Sequence, residues 1–184
     1  GSLNETVKAV KIEGVEATAQ NVADGCYKIA RPFNIAYKAD GQSDLSKDFI
    51  AYVMSAEGQA IINENGYVGS SDAAAYAAYG GSGNLVVGGS YSVSPGMVHT
   101  TPSAHAPVSD TTTGMTSAME GTYDIGMASR ELKEDEAAAL AHQAIAMDGI
   151  AVIVNIANPA DDLTVEQVAS IFLGDVTKWN EIVK

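Results

Sequence analysis

Short apolar runs of strand length alternate along this chain with stretches whose apolar positions recur at helical spacing. Residues 7–12 (VKAVKI) predict a strand and Glu13-Gly14 a turn. Asn21 to Tyr27 reads as a loop. Residues 29–38 (IARPFNIAYK) predict an extended segment, whose Pro32 places its start at a sheet edge or in a crossing strand. Ser46 is read as the cap of a helix starting near Lys47, with Phe49, Ile50, Val53 and Met54 on one face. A second helix through Gln59, Ile61 and Ile62 stops at Asn65-Gly66. Residues 69–83 (GSSDAAAYAAYGGSG) are small and almost uncharged, and predict a linker with at most one helical turn.

A new alternation follows. NLVVGG at 84–89 predicts a short buried strand. Residues 96–110 hold two prolines and no clear period, which predicts loop or irregular strand. Residues 114–121 predict a short helix, 123–129 (YDIGMAS) a buried strand, and 131–142 (ELKEDEAAALAH) a helix with its acidic half at the N-terminus, where the helix dipole favours it. Residues 144–154 predict one or two buried strands. Thr164 is placed to cap a helix carrying Val165, Val168, Ile171 and Phe172 and ended by Gly174. Strands alternating with helices predict an α/β fold with a mainly parallel sheet flanked by helices.

Length, 184 residues, fits one domain or one domain with a small appendage. With 46% hydrophobic and 18% charged residues the chain can build a core. Its net charge of -13 opposes nucleic acid and anionic membrane as partners. Small anions remain open as ligands, because local backbone N–H groups, hydroxyls and single arginines hold them. Cys26 is the single cysteine, so no intramolecular disulfide and no multi-cysteine zinc site can form. No apolar run reaches the ~18 residues of a membrane span. Gly1-Ser2 reads as the remnant of a cleaved tag, so a signal or lipid anchor could have been removed.

Three motifs carry chemistry. In GGSYSVSP (88–95) a strand ends in glycines and presents Ser90, Tyr91 and Ser92; strand ends are where open α/β sheets bind ligands. A Ser-rich turn is the plain alternative. In DTTTGM (110–115) Thr111, Thr112 and Thr113 precede a helix, where they could meet an anion; Thr112 or Thr113 could equally be the helix cap. In DIGMASRE (124–131) a buried strand delivers Ser129 and Arg130, and Arg130 could grip an oxyanion or pair with Glu131 or Glu134. His99, His105 and His142 lack a third partner at metal-like spacing, and no GxSxG, Walker A loop or dinucleotide fingerprint occurs. No nucleophile–base pair stands out, so an enzyme is disfavoured, and no cofactor or metal is implied.

Beyond these motifs, the strings GGSYSVSP, TTTGMTSAMEGTYDIGMASRELKEDE and IAMDGIAVIVNIANPADDLTVEQVASIFLGDVTKWNEI closely resemble the amino-terminal part of phosphate-binding proteins of ABC importers. VKAVKIEGVEATAQNV, YKIARPF and FIAYVMSAEGQAIINENGYV resemble the carboxy-terminal part of the same family. The resemblance implies one lobe of a type II periplasmic-binding-protein fold with its segments in permuted order. Residues 1–68 would match the family's end, 69–83 would link, and 84–184 would match its beginning, the two segments forming one domain. AVIVN (151–155) and IARPF (29–33) would be the strands that cross between lobes.

By resemblance, Ser90, Tyr91, Ser92, Thr111, Thr112, Thr113, Ser129 and Arg130 would contact inorganic phosphate or a similar oxyanion. The parent protein would be extracytoplasmic and would pass its ligand to an ABC permease. The family's other lobe, with its own Arg and Ser-Gly-Thr anion loop, is largely missing, and GMVHTTPSAHAPV replaces the family's first helix, so binding should be weak. The second reading is an interaction or assembly module of the same fold that has lost its ligand, with homodimerisation through exposed strands as one outcome.

Overall fold

Apolar strands recur through the computed structural model, which describes residues 4–78, 83–95, 104–105 and 107–182. In chain order the elements are β1 (Val7–Ala9), β2 (Lys11–Ile12), α1 (Ala19–Ala23), β3 (Ala30–Tyr37), α2 (Asp44–Val53), α3 (Ala56–Glu64), β4 (Leu85–Ser90), β5 (Ala104–His105), β6 (Val108–Ser109), α4 (Thr111–Glu120), β7 (Ile125–Ala128), α5 (Glu134–Ala139), β8 (Ala141–Gly149), β9 (Ile153–Asn155), β10 (Asp162–Leu163) and α6 (Val165–Leu173). A 3-10 turn at Trp179–Glu181 follows. The chain divides into two units, residues 31–148 and residues 1–30 with 149–184. Both boundaries run through the segments delimited by sequence, at or beside the two expected crossing strands.

The unit of residues 31–148 is built on a sheet of order β5-β4-β7-β3-β8, with β6 also pairing β4. β4 is parallel to β5, β6 and β7. β3 runs antiparallel to β7, from Asn34↔Ala128 to Ala36↔Gly126. The sheet is therefore mixed, with the pairings of β4 parallel as expected and β3 reversed against β7. The reversal matters for the site, because it carries the start of β3 to the edge where β4 and β7 end.

Alternation along β3 divides the core between the two faces of the sheet. Phe33 and Ile35 pack with Phe49, Val53, Ile62, Leu85, Val87, Ile125 and Met127, whereas Ala36 packs with Met115, Ala118, Ala128 and Leu140. α4 lies close on the sheet. A Cβ on Gly114 would stand 2.8 Å from Gly89 Cα, so only glycine allows this approach.

Local chemistry sets the helix ends. Ser43, rather than Ser46, caps α2, accepting from Ser46 N at 3.1 Å, so the helix starts one turn earlier than expected. α3 ends at Asn65 and Gly66 (φ 85°), as the sequence predicts. α5 is shorter than its predicted span: Leu140 is already extended and is drawn into the cluster around Met115, and β8 begins at the next residue. Residues 69–78 form no regular element, so the helical turn does not appear. Ala56 N donates to Ala74 O at 2.8 Å, Tyr76 N to Glu57 Oε2 at 2.8 Å and Tyr76 OH to Asp48 Oδ1 at 2.8 Å, which ties the stretch to α2 and α3.

In the unit of residues 1–30 and 149–184, β1 pairs antiparallel with β9 and β2 parallel with β10. Val10, Ile12, Val22, Tyr27, Val154, Ala160, Leu163 and Val168 are its buried apolar residues among those described, and Tyr27 OH donates to Ile150 O at 3.0 Å. Residues 19–23, partly read as loop, form α1 because Thr18 caps it through Asn21 N. α6 has the predicted Thr164 cap, reciprocated by Gln167, and Gly174 ends it. Of the expected apolar face only Val168 is buried; Phe172 is exposed. No helix among the described residues is long and apolar enough to cross a membrane.

Candidate functional site

Three hydroxyls from three elements meet at the carboxyl edge of the sheet in the unit of residues 31–148. β4 ends at Ser90, which is 4% exposed, after Gly89, whose φ of 134° excludes a side chain. Ser90 Oγ donates to Ser129 Oγ at 3.0 Å. Ser129 follows β7, and its N–H donates to Thr111 Oγ1 at 3.1 Å. Thr111 opens α4, and its hydroxyl lies 3.4 Å from Ser129 Oγ. Ser90, Thr111 and Ser129 thus form one network. Each hydroxyl rotates freely about its C–O bond, so each can redirect its proton towards an incoming acceptor.

The other expected residues behave differently. Tyr91 is 74% exposed in the turn after β4. Thr112 and Thr113 are exposed. The α4 cap is Asp110, not Thr112 or Thr113: its carboxylate accepts from Thr113 N at 3.0 Å and from Thr113 Oγ1 at 3.0 Å. These bonds, the backbone one first, hold the Asp110 carboxyl below its ordinary range. A negative cap here competes with any anion for the first-turn amides.

Arg130 closes onto a carboxylate. Its Nη1 donates to Glu136 Oε2 at 2.7 Å and to Glu131 O at 2.9 Å, and its Nη2 to Glu136 Oε1 at 2.9 Å. The Glu136 side chain is 4% exposed and also accepts from Lys133 N at 2.9 Å. Hydrogen bonding to Arg130 is the main force pushing the Glu136 carboxyl below its ordinary range, and the same bonds raise Arg130. The ionic partner is therefore Glu136, not the Glu131 or Glu134 side chain.

Reading the sequence missed Arg31 and Asp148. Arg31 stands at the start of β3; its Nε donates to Asp148 Oδ2 at 3.0 Å and its Nη2 to Ser92 Oγ at 3.3 Å. The guanidinium lies 5.6 Å from the centre of the Phe33 ring. Tyr67 OH donates to Ser92 O at 3.0 Å, and burial first, then the Asp148 charge, raises its pKa. The only local signal was an arginine beside Pro32 in a strand, which carries no information about partners far away in sequence. Among the described residues no group of three or more His, Cys, Asp or Glu could hold a metal.

Comparison with known proteins places the chain in a family. The family model of the PBP superfamily domain matches residues 74–183. The chain is 44% identical over 194 residues to a phosphate-binding protein PstS 2 of Streptococcus agalactiae, and 38% identical over 192 residues to one of Streptococcus pneumoniae. These alignments take in 100% and 99% of the chain, which spans 66% of the length of each relative. One continuous alignment crosses both segments, so their order is shared with these relatives. A crystal structure of a phosphate ABC transporter phosphate-binding protein from Streptococcus pneumoniae matches with a TM-score of 0.85 at 38% identity, covering 98% of this chain and 74% of that one. The chain belongs to the PBP superfamily, and its α/β architecture is a periplasmic-binding-protein-like fold.

Proposed function

We propose that this member of the PBP superfamily carries one oxyanion-binding face of an extracytoplasmic receptor for inorganic phosphate, one that supplies an ABC permease. The observation that carries the reading is the meeting of Ser90, Thr111 and Ser129 at the carboxyl ends of β4 and β7 and the start of α4. Ligands of open α/β sheets bind at such edges. Three neutral hydroxyls suit a small anion, because their donors turn towards it without bringing net charge of their own. The names of the relatives, phosphate-binding proteins, agree with that chemistry. The sequence pieces 1–68 and 84–184, joined by 69–83, serve as one ligand-binding body in this reading.

The ligand set is narrower than the sequence suggested. Ser90, Thr111 and Ser129 form the cradle. Thr113 is occupied by Asp110, and Arg130 by Glu136. The competing reading, an assembly module without a ligand, rested on residues 96–108, most of which lie outside the described residues.

Isothermal titration with inorganic phosphate and with sulfate tests the proposal. Millimolar or tighter binding of phosphate is expected, weakened about tenfold in Ser129→Ala, which removes the hydroxyl shared by both neighbours. No heat at millimolar phosphate, or an unchanged affinity in Ser129→Ala, would count against it.

A further inference from the structure

We infer that Arg31 is the arginine of this oxyanion site, gripping a phosphate oxygen pair with its Nη1 and Nη2 atoms. The inference rests on the phosphate-binding reading and adds to it a residue outside the three hydroxyl motifs.

Topology places the residue. β3 is antiparallel to β7, with Asn34 opposite Ala128, so the start of β3 reaches the edge where Ser129 ends β7. Asn34 Nδ2 donates to Arg130 O at 3.0 Å, which fixes this end of β3 against the turn that follows β7. Arg31 lies three residues before Asn34, past the part of β3 that pairs with β7. Its Nη2 touches Ser92, two residues after Ser90 in the same turn. The guanidinium thus contacts the turn that directly follows Ser90 of the hydroxyl cradle.

The bonding of Arg31 also suits a ligand. Asp148 accepts the hydrogen bond of Nε–H, and the ring of Phe33 lies against the guanidinium. Both contacts orient the side chain without using the terminal fork. Nη2 makes one long bond, 3.3 Å, to a neutral hydroxyl, and among the described residues Nη1 meets no acceptor. The side chain remains 37% exposed. An oxyanion can therefore accept two parallel charge-assisted bonds from the fork, displacing Ser92, whose hydroxyl is then released to donate in turn. Asp148 acts as a positioning residue.

The experiment is isothermal titration of the chain with inorganic phosphate, using Arg31→Lys, Arg31→Gln and Ser129→Ala beside the unaltered protein, with circular dichroism melts to confirm folding. Arg31→Gln is expected to bind about a hundredfold more weakly. Arg31→Lys keeps the charge but not the fork, and is expected to bind about tenfold more weakly. Its near-native chemistry preserves the test if the glutamine variant fails to fold. Wild-type affinity in both arginine variants, with a loss in Ser129→Ala, would overturn the role of Arg31 and leave the receptor reading standing. Absence of phosphate binding by the unaltered chain would overturn both.

Discussion

Arg130 and Arg31 stand at the same edge of one sheet, and their surroundings give them opposite roles. Arg130 spends both Nη atoms on Glu136, whose carboxylate is 4% exposed, and one of them again on Glu131 O. Arg31 spends Nε on Asp148, which is 20% exposed, and its fork gives one long bond, to the neutral Ser92 hydroxyl, among the described residues. Position at this edge alone thus does not make an arginine a candidate ligand group. What decides is how many of its donors are saturated, and whether its partner could survive without it. A buried carboxylate cannot, since an unpaired charge in the interior is costly; a part-exposed one finds water.

The largest expected effect follows directly. Arg130→Met should destabilise the chain by about 3 kcal/mol, because it strands the buried Glu136 charge. Urea unfolding at neutral pH measures this. A loss below about 1 kcal/mol would place Arg130 with the exposed pairs and erase the contrast.

Acid sharpens the same contrast with a smaller effect. The folded-state pKa of Glu136 lies below its ordinary value of 4.5, so its pairing stabilises the fold above that pH. That stability is lost as pH falls from 4.5 through the depressed folded value. Asp110, Glu57 and Glu166 are lowered too, chiefly by backbone hydrogen bonds, so the wild-type slope is a sum. Glu136→Gln removes one titrating group from it. Unfolding free energy followed below pH 4.5 should fall less steeply in Glu136→Gln than in the unaltered chain. Equal slopes would show that the Arg130 pairing does not perturb Glu136.

Sequence reading recovered the elements whose signals are local. The Thr164 cap with Gln167 three residues on, the Asn65-Gly66 stop and the buried run YDIGMAS each depend on neighbours within one turn or strand, and each is found. It stumbled where a distant contact overrides propensity. The Ala-rich run after Glu134 favours helix, yet Leu140 is pulled into the cluster of Met115 and Ala36, and β8 starts. The small-residue stretch 69–78 looked like a free linker, but Tyr76 pins it to Asp48, 28 residues back. Ser90, Thr111 and Ser129 could be singled out as candidates because each stands at or close to the end or start of a predicted element, whereas their meeting in one network could not be read. Arg31 could not be singled out, because its partners Ser92 and Asp148 lie 61 and 117 residues away. Arg130 and Glu136 are only six apart, but which acidic residue of that cluster turns inward depends on where α5 begins.

The smallest expected effect is also the one that separates the two arginines most cleanly. Arg31→Met removes an ion pair whose partners are 37% and 20% exposed, so water can take over both Asp148 and Ser92. The methionine stem can keep the contact with the Phe33 ring that the arginine makes. Unfolding free energy should therefore change by less than about 1 kcal/mol, although Arg31 lies on a central strand and Arg130 in a loop. Position in the fold alone would predict the reverse order, with the strand residue the more costly to lose. Should Arg31→Met cost more than Arg130→Met in the same urea experiment, Arg31 would be the structural member of the pair, and the saturation of donors would not be what assigns the two roles.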